Sequence, residues 1–218
     1  MDQVFKAYDV RGTVPDQLDA DMCRAIGRAM ARFVDAPQIL VVRDMRETGV
    51  ALSAAFSDGV RAEGVDIVDL GMASTDFMYF ASGHLDSPGA MFTASHNPAQ
   101  YNGLKLCLSG ARPIGRDTGL ADIEAGAEEL LGAPLPPLTG KWSEQSLLGE
   151  WADHVVSFVD VGSLRPLKVV ADTANGMGGL VVPKVFEGLP VDLEILFGEL
   201  DGTFPNHPAD PIQEENLR

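Results

Sequence analysis

Short apolar runs alternate along this chain with longer segments whose apolar residues recur every three or four positions. The runs within residues 38–42 and 89–92 predict strands buried on both faces, as in a parallel sheet covered by helices. Leu18, Met22, Ile26, Ala29, Met30 and Phe33 predict an amphipathic helix over residues 18–34, with Asp19 at its start. Leu52, Ala55, Phe56 and Val60 predict a second helix over 50–63, stopped by Gly64. Residues 4–10, 65–71 and 104–108 read as further strands, and 75–80 as a short helix. Gly12 allows a sharp turn directly after Arg11.

The second half repeats the theme. A hairpin-like turn over 108–115 precedes an acidic helix over 117–131. Residues 132–137 read as an extended linker, and a helix over 143–159 follows, carrying Leu147, Trp151, Val155, Phe158 and Val159. Strands over 167–171 and 191–197 flank a glycine-rich turn at 172–179, which reads as a tight strand-to-helix connection. The expected fold class is α/β: two α/β layered domains with mixed, mostly parallel sheets, divided as 1–137 and 138–218.

Charge narrows the choice of partners. The 218 residues hold 16 Lys and Arg against 32 Asp and Glu, a net charge of −16. That argues against nucleic acid or an anionic membrane as partner. No apolar run approaches a membrane span, and no secretion signal precedes residue 6. Cys23 and Cys107 show no metal spacing and are expected to be buried, reduced thiols in a cytoplasmic protein. His207 stands among prolines without a second histidine or cysteine nearby, so a metal role is not expected. Arg24, Arg28 and Arg32 form a four-spaced stripe, expected on a solvated helix face.

In so acidic a chain, any site for a phosphorylated molecule must gather positive charge locally. The candidate is Thr93-Ala94-Ser95-His96-Asn97-Pro98, between two strands, with Lys105 ten residues after Ser95. A hydroxyl on a tight loop with a lysine nearby suits phosphoryl transfer: the hydroxyl takes the group, and the cation stabilises charge or moves the proton. Arg11 and Arg43 also close strands, so they and Ser95 are expected to converge beyond the strand ends. Arg43-Asp44 serves either as salt-bridged loop support or as a substrate contact.

Thr-Ala-Ser-His-Asn-Pro followed by Tyr101-Asn102-Gly103-Leu104-Lys105 resembles the phosphoserine loop of the α-D-phosphohexomutases, and most closely their bacterial phosphomannomutase/phosphoglucomutase group. Tyr8-Asp9-Val10-Arg11-Gly12 resembles that family's opening loop. The resemblance implies reversible phosphate transfer between the 1- and 6-hydroxyls of a hexose through phospho-Ser95. Lys105 is then the candidate general acid/base, its proton loss eased by burial and neighbouring positive charge. Arg11 and His96 would steady the phosphoryl oxygens, Tyr8, Arg43 and Asn97 would line the phosphate site, and Tyr101 would shape the loop.

The resemblance further implies a magnesium ion bound through the Ser95 phosphate and a hexose 1,6-bisphosphate as activator and intermediate. It covers a first domain and most of a second. The family's Asp-Gly-Asp-x-Asp-Arg metal loop and its third and fourth domains have no counterpart in these residues, so the second domain is expected to be incomplete and this chain inactive alone. Apolar surface left open by such an excision is expected to permit self-association. The loop 97–103 resembles the mannose/glucose group more than the glucosamine group. Two rivals stand beside this reading. One is a non-catalytic module that binds a phosphosugar or a protein. The other is a serine hydrolase using Ser95 and His96, disfavoured because neighbours on an extended backbone point apart and no G-x-S-x-G elbow is present.

Overall fold

A computed structural model describes residues 1, 3–210 and 212–217. Its strands are β1 (Val10–Thr13), β2 (Gln38–Arg43), β3 (Asp66–Met72), β4 (Gly89–Phe92), β5 (Tyr101–Leu108), β6 (Arg112–Pro113), β7 (Trp142–Glu144), β8 (Leu167–Asp172) and β9 (Val191–Leu196). Its α-helices are α1 (Ala20–Phe33), α2 (Thr48–Ala62), α3 (Thr75–His84), α4 (Leu120–Leu130), α5 (Leu148–Val156) and α6 (Gly178–Phe186). The first sheet has the order β1-β5-β4-β2-β3-β7, with β6 on β5. Its β4, β2, β3 and β7 are parallel, whereas β5 runs against β4, β1 and β6. A smaller parallel pair, β8 and β9, is connected through α6.

The period of two along each central strand builds both cores. Ile39 and Val41 of β2, Ala90 and Phe92 of β4, and Leu104 and Leu106 of β5 face one core with Ile26, Phe56 and Ile123 from α1, α2 and α4. Leu40, Val42, Met91 and Cys107 face the other core with Phe77 of α3 and Trp151 of α5. Phe56 meets Phe92 edge to face at 5.5 Å, locking α2 onto β4. Val181 of α6 joins the second core, so the smaller sheet's helix is anchored on the larger layer. Both cysteines are free and buried, and burial pushes both thiols above their ordinary range. Among the described residues, no helix is long and apolar enough to cross a membrane.

Five local expectations need correction. Residues 4–9 are turns with one bridge from Phe5 to Val10, because the Lys6 N–H closes a turn on the Asp9 carbonyl; the strand runs instead from Val10 to Thr13. Gly12 therefore pairs with Asn102 inside that strand and makes no turn. Helix α3 continues to His84, four residues past the predicted end. The predicted helix over 143–159 begins only at Leu148, since Trp142, Ser143 and Glu144 pair with Ile67, Val68 and Asp69 as an edge strand.

The arginine stripe of α1 is only partly a solvated face: Arg32 is exposed and Arg24 half-buried, but Arg28 is covered. Arg28 is 6% exposed, donating to Glu63 at 2.7 Å and to the Pro134 carbonyl at 3.3 Å, and Arg32 shares Glu63. The linker and the end of α2 cover the helix at Arg28. By contrast, Asp19 caps α1 through the Met22 N–H, as predicted.

Candidate active site

Ser95 sits at the tip of the β4–β5 hairpin, exposed, with φ of +53°. A non-glycine residue in the left-handed region costs about 1–3 kcal/mol, so the surroundings must hold it. Part of that hold is local. The Ser95 N–H donates to Thr93 Oγ1 at 3.0 Å, and Asn97 N–H to the Ala94 carbonyl at 3.1 Å. The rest comes from Arg46. Its Nη2 donates to the Ser95 and Asn97 carbonyls at 2.9 and 2.7 Å, and its Nη1 to those of Pro98 and Tyr101 at 2.8 and 3.0 Å. Its Nε faces Asp44 at 3.3 Å. Burial pulls the Arg46 guanidinium below its ordinary value, and the Asp44 carboxylate opposes that shift.

The hairpin is held flush against β1 at Gly103, opposite Arg11. A Cβ on Gly103 would lie 2.2 Å from the Val10 carbonyl oxygen, so only glycine permits this approach. The close register brings Arg11 to the loop, where its Nη1 donates to Asn97 Oδ1 at 2.7 Å. Its Nη2 donates to Asp9 Oδ2 at 2.5 Å, while its buried Nε has no protein partner among the described residues. Lys105 of β5, paired with Met91 of β4, reaches the same Asp9 oxygen at 3.3 Å. The expected positive neighbourhood of Lys105 is thus corrected: its direct partner is a carboxylate.

Ser95 Oγ and His96 Nδ1 stand 3.3 Å apart. The geometric objection to a Ser–His contact fails here, since Ser95 is left-handed rather than extended. Arg43 ends β2 beside Phe92 and reaches the Asp44 carbonyl at 3.5 Å; Asp44 pairs with Arg46 instead. Tyr8 is 79% exposed, its ring against Gly115, and it makes no hydrogen bond to the loop among the described residues. Ser95, His96, Asn97, Arg11 and Lys105 are therefore gathered around one hairpin, with Arg43 at its margin and Tyr8 outside. Arg46 and Asp9 were not singled out from sequence. The available signals were the Asp-x-Arg spacings at 9–11 and 44–46, each placing an acid within reach of an arginine two residues on.

A cleft of about 180 Å³ opens beside Ser95, lined also by Asp44, Thr93, Ser74, Met177 and Phe204. Its far wall comes from the second half of the chain. There Asn175, buried in the 172–179 turn, holds the Glu199 carbonyl at 3.0 Å and receives a bond from Asn206 at 2.8 Å. His207 Nε2 lies 3.1 Å from both Asp172 oxygens, and its Nδ1 is 2.9 Å from the Pro208 carbonyl. The Pro208 carbonyl and then Asp172 hold the His207 imidazolium above its ordinary range.

This hairpin and its sheet match known proteins over nearly the whole chain. Residues 2–131 match the family description "Phosphoglucomutase/phosphomannomutase, alpha/beta/alpha domain I", and residues 149–218 match domain II of the same family. The chain belongs to the phosphoglucomutase/phosphomannomutase family. Among its relatives, phosphohexose mutases of Xanthomonas campestris pv. campestris (strain B100) are 40% identical over 213 residues, covering 97% of this chain and 47% of the relative. A phosphomannomutase of Salmonella montevideo is 38% identical over 221 residues, covering 97% and 48%. The crystal structure of a phosphoglucomutase/phosphomannomutase family protein from Burkholderia thailandensis superposes with a TM-score of 0.86 at 35% identity, covering 100% of this chain and 49% of that one. The chain thus spans about half the length of the curated relatives it matches.

The family resemblance implies magnesium. The residues present do not fit it: among the described residues, no group of three or more His, Cys, Asp or Glu could hold a metal ion. A magnesium ion needs several hard oxygens in octahedral array, and one serine-borne phosphate does not supply them.

Proposed function

We propose that these residues form the nucleophile-bearing part of a phosphomannomutase/phosphoglucomutase that interconverts hexose 1-phosphate and hexose 6-phosphate. The free hydroxyl of a bound hexose phosphate attacks the phosphorus of phospho-Ser95. A new O–P bond forms, the Oγ–P bond breaks, and Lys105 accepts the hydroxyl proton. The bound 1,6-bisphosphate reorients, Ser95 Oγ attacks its other phosphorus, the sugar O–P bond breaks, and the freed sugar oxygen recovers the proton from Lys105. Arg11 and His96 steady the phosphoryl oxygens, Asn97 orients Arg11, and Arg43 borders the site. The hexose 1,6-bisphosphate is both intermediate and activator in this scheme. Magnesium is a cofactor of the whole protein.

The observation that carries this reading is the exposed, left-handed Ser95 on a hairpin where Arg11, His96 and Lys105 gather, in a chain of net charge −16. Two cations, Arg11 and Lys105, brought to the loop against that background suit a phosphorylated substrate. The test is a mutase assay with glucose 1-phosphate and mannose 1-phosphate, magnesium and a trace of bisphosphate. It compares this chain with a chimera joining it to the C-terminal half of the Xanthomonas relative. Turnover by the chimera and none by the chain alone is expected. A folded chimera without turnover overturns the proposal.

A further inference from the structure

The Arg46 side chain is 1% exposed. A guanidinium has five N–H donors in a rigid plane. Here one faces Asp44 and four meet carbonyls of Ser95, Asn97, Pro98 and Tyr101. Those carbonyls span the whole turn between β4 and β5, so a single side chain closes the nucleophile loop around itself. A lysine at this position could meet at most three of them.

The opposite side of Arg46 is covered by the second half of the chain. The Phe204 ring centroid lies 5.0 Å from the guanidinium carbon. A Cβ on Gly202 would come within 2.8 Å of the Arg46 Cα, so the backbone of this return loop rests directly on that residue. The loop is itself held by its own unit: the Asp201 N–H donates to the Asn175 carbonyl at 3.0 Å, and Asp201 receives the Thr203 N–H at 2.8 Å. Contacts therefore run unbroken from the 172–179 turn, through the return loop and Arg46, to Ser95.

We infer that Arg46 is a positioning residue for Ser95, and that Phe204 of the second unit sets how firmly Arg46 holds the loop. This deepens the proposed function, but its first test does not depend on it. The coupling is tested by a cycle of variants. Amide hydrogen exchange is followed by mass spectrometry on the 218-residue chain and on Arg46→Lys, Phe204→Leu, Phe204→Tyr and the Arg46→Lys/Phe204→Leu double variant.

Arg46→Lys is expected to speed exchange over residues 94–102 by about tenfold or more, the scale of losing one charge-assisted hydrogen bond, with α1 and β2 unchanged. Phe204→Leu should give a smaller change in the same segment, and Phe204→Tyr, which keeps the ring, should restore protection. The double variant should be less than additive. Unchanged exchange at 94–102 in Arg46→Lys, or full additivity, overturns the inference. Should Arg46→Lys unfold globally, the Phe204 pair decides: equal loop protection in Leu and Tyr variants rejects the coupling.

A second arm uses the chimera. There Phe204→Leu is expected to lower kcat with KM for the sugar phosphate little changed, and Phe204→Tyr to recover kcat. A change in KM alone contradicts a positioning role. If the unaltered chimera shows no mutase turnover, the proposed function fails, while the exchange results still decide the role of Arg46.

Discussion

Lys105 and Asp9, 96 residues apart in the chain, meet at 3.3 Å, and the same Asp9 oxygen also accepts from Arg11. One carboxylate thus fixes the spacing of the two cations that approach the loop from neighbouring strands. If Lys105 moves the proton, Lys105→Ala in the chimera should lower kcat by about 10²–10⁴-fold. Asp9→Asn removes the charge that aligns both cations and should cause a smaller loss in kcat. Steady-state kinetics on both variants check this; Asp9→Asn with unaltered kcat would show that the bridge has no part in turnover.

The close approach of β1 to β5 makes a stability prediction. Gly103→Ala would drive a methyl into the Val10 carbonyl, and the Thr93 carbonyl at 3.1 Å blocks escape. Backbone on both sides cannot yield as a side chain would. The expected loss is at least about 1–3 kcal/mol, the usual cost of overpacking. Urea unfolding of the 218-residue chain measures it, and a midpoint equal to the parent's would mean the strands separate freely.

His207 ties the return loop to Asp172, and its folded-state pKa is raised. Its contribution to stability is therefore fully present below the unfolded value near 6.5 and is lost as pH rises through the higher folded value. Stability of the β8–β9 sheet and its return loop should fall across that window, and His207→Gln should flatten the slope. Exchange protection of β8 and β9 at a series of pH values reports this directly. An identical slope in His207→Gln would remove His207 as its source.

The second sheet leaves apolar side chains in solvent, with Val170 54% and Phe197 39% exposed. Exposed apolar surface of this kind favours association. Sedimentation of the isolated chain is expected to show a mass that rises with concentration, and Val170→Lys should reduce the effect. A monomer at all concentrations would contradict it.

Strands β2 and β4 were legible because each is buried on both faces, which leaves a continuous apolar run. The serine loop was legible because its chemistry lies in side chains. What escaped sequence reasoning lies in the main chain or in short polar pieces. Arg46 binds carbonyl oxygens, which carry no residue signature. The left-handed Ser95 that meets His96 cannot be inferred from residue type. Trp142-Ser143-Glu144 is too short and polar to announce a strand, and only its register against Ile67–Asp69 defines it. Arg28 looked solvated because its cover comes from residues 35 and 106 positions away.

The central claim is that Ser95 carries the phosphoryl group, and the most direct measurement is mass spectrometry of the chimera after exposure to glucose 1,6-bisphosphate. A single added phosphate is expected to map to Ser95, to be removed by a hexose monophosphate, and to be absent from Ser95→Ala together with turnover. A phosphate on another residue, or mutase turnover in Ser95→Ala near that of the parent, would contradict it.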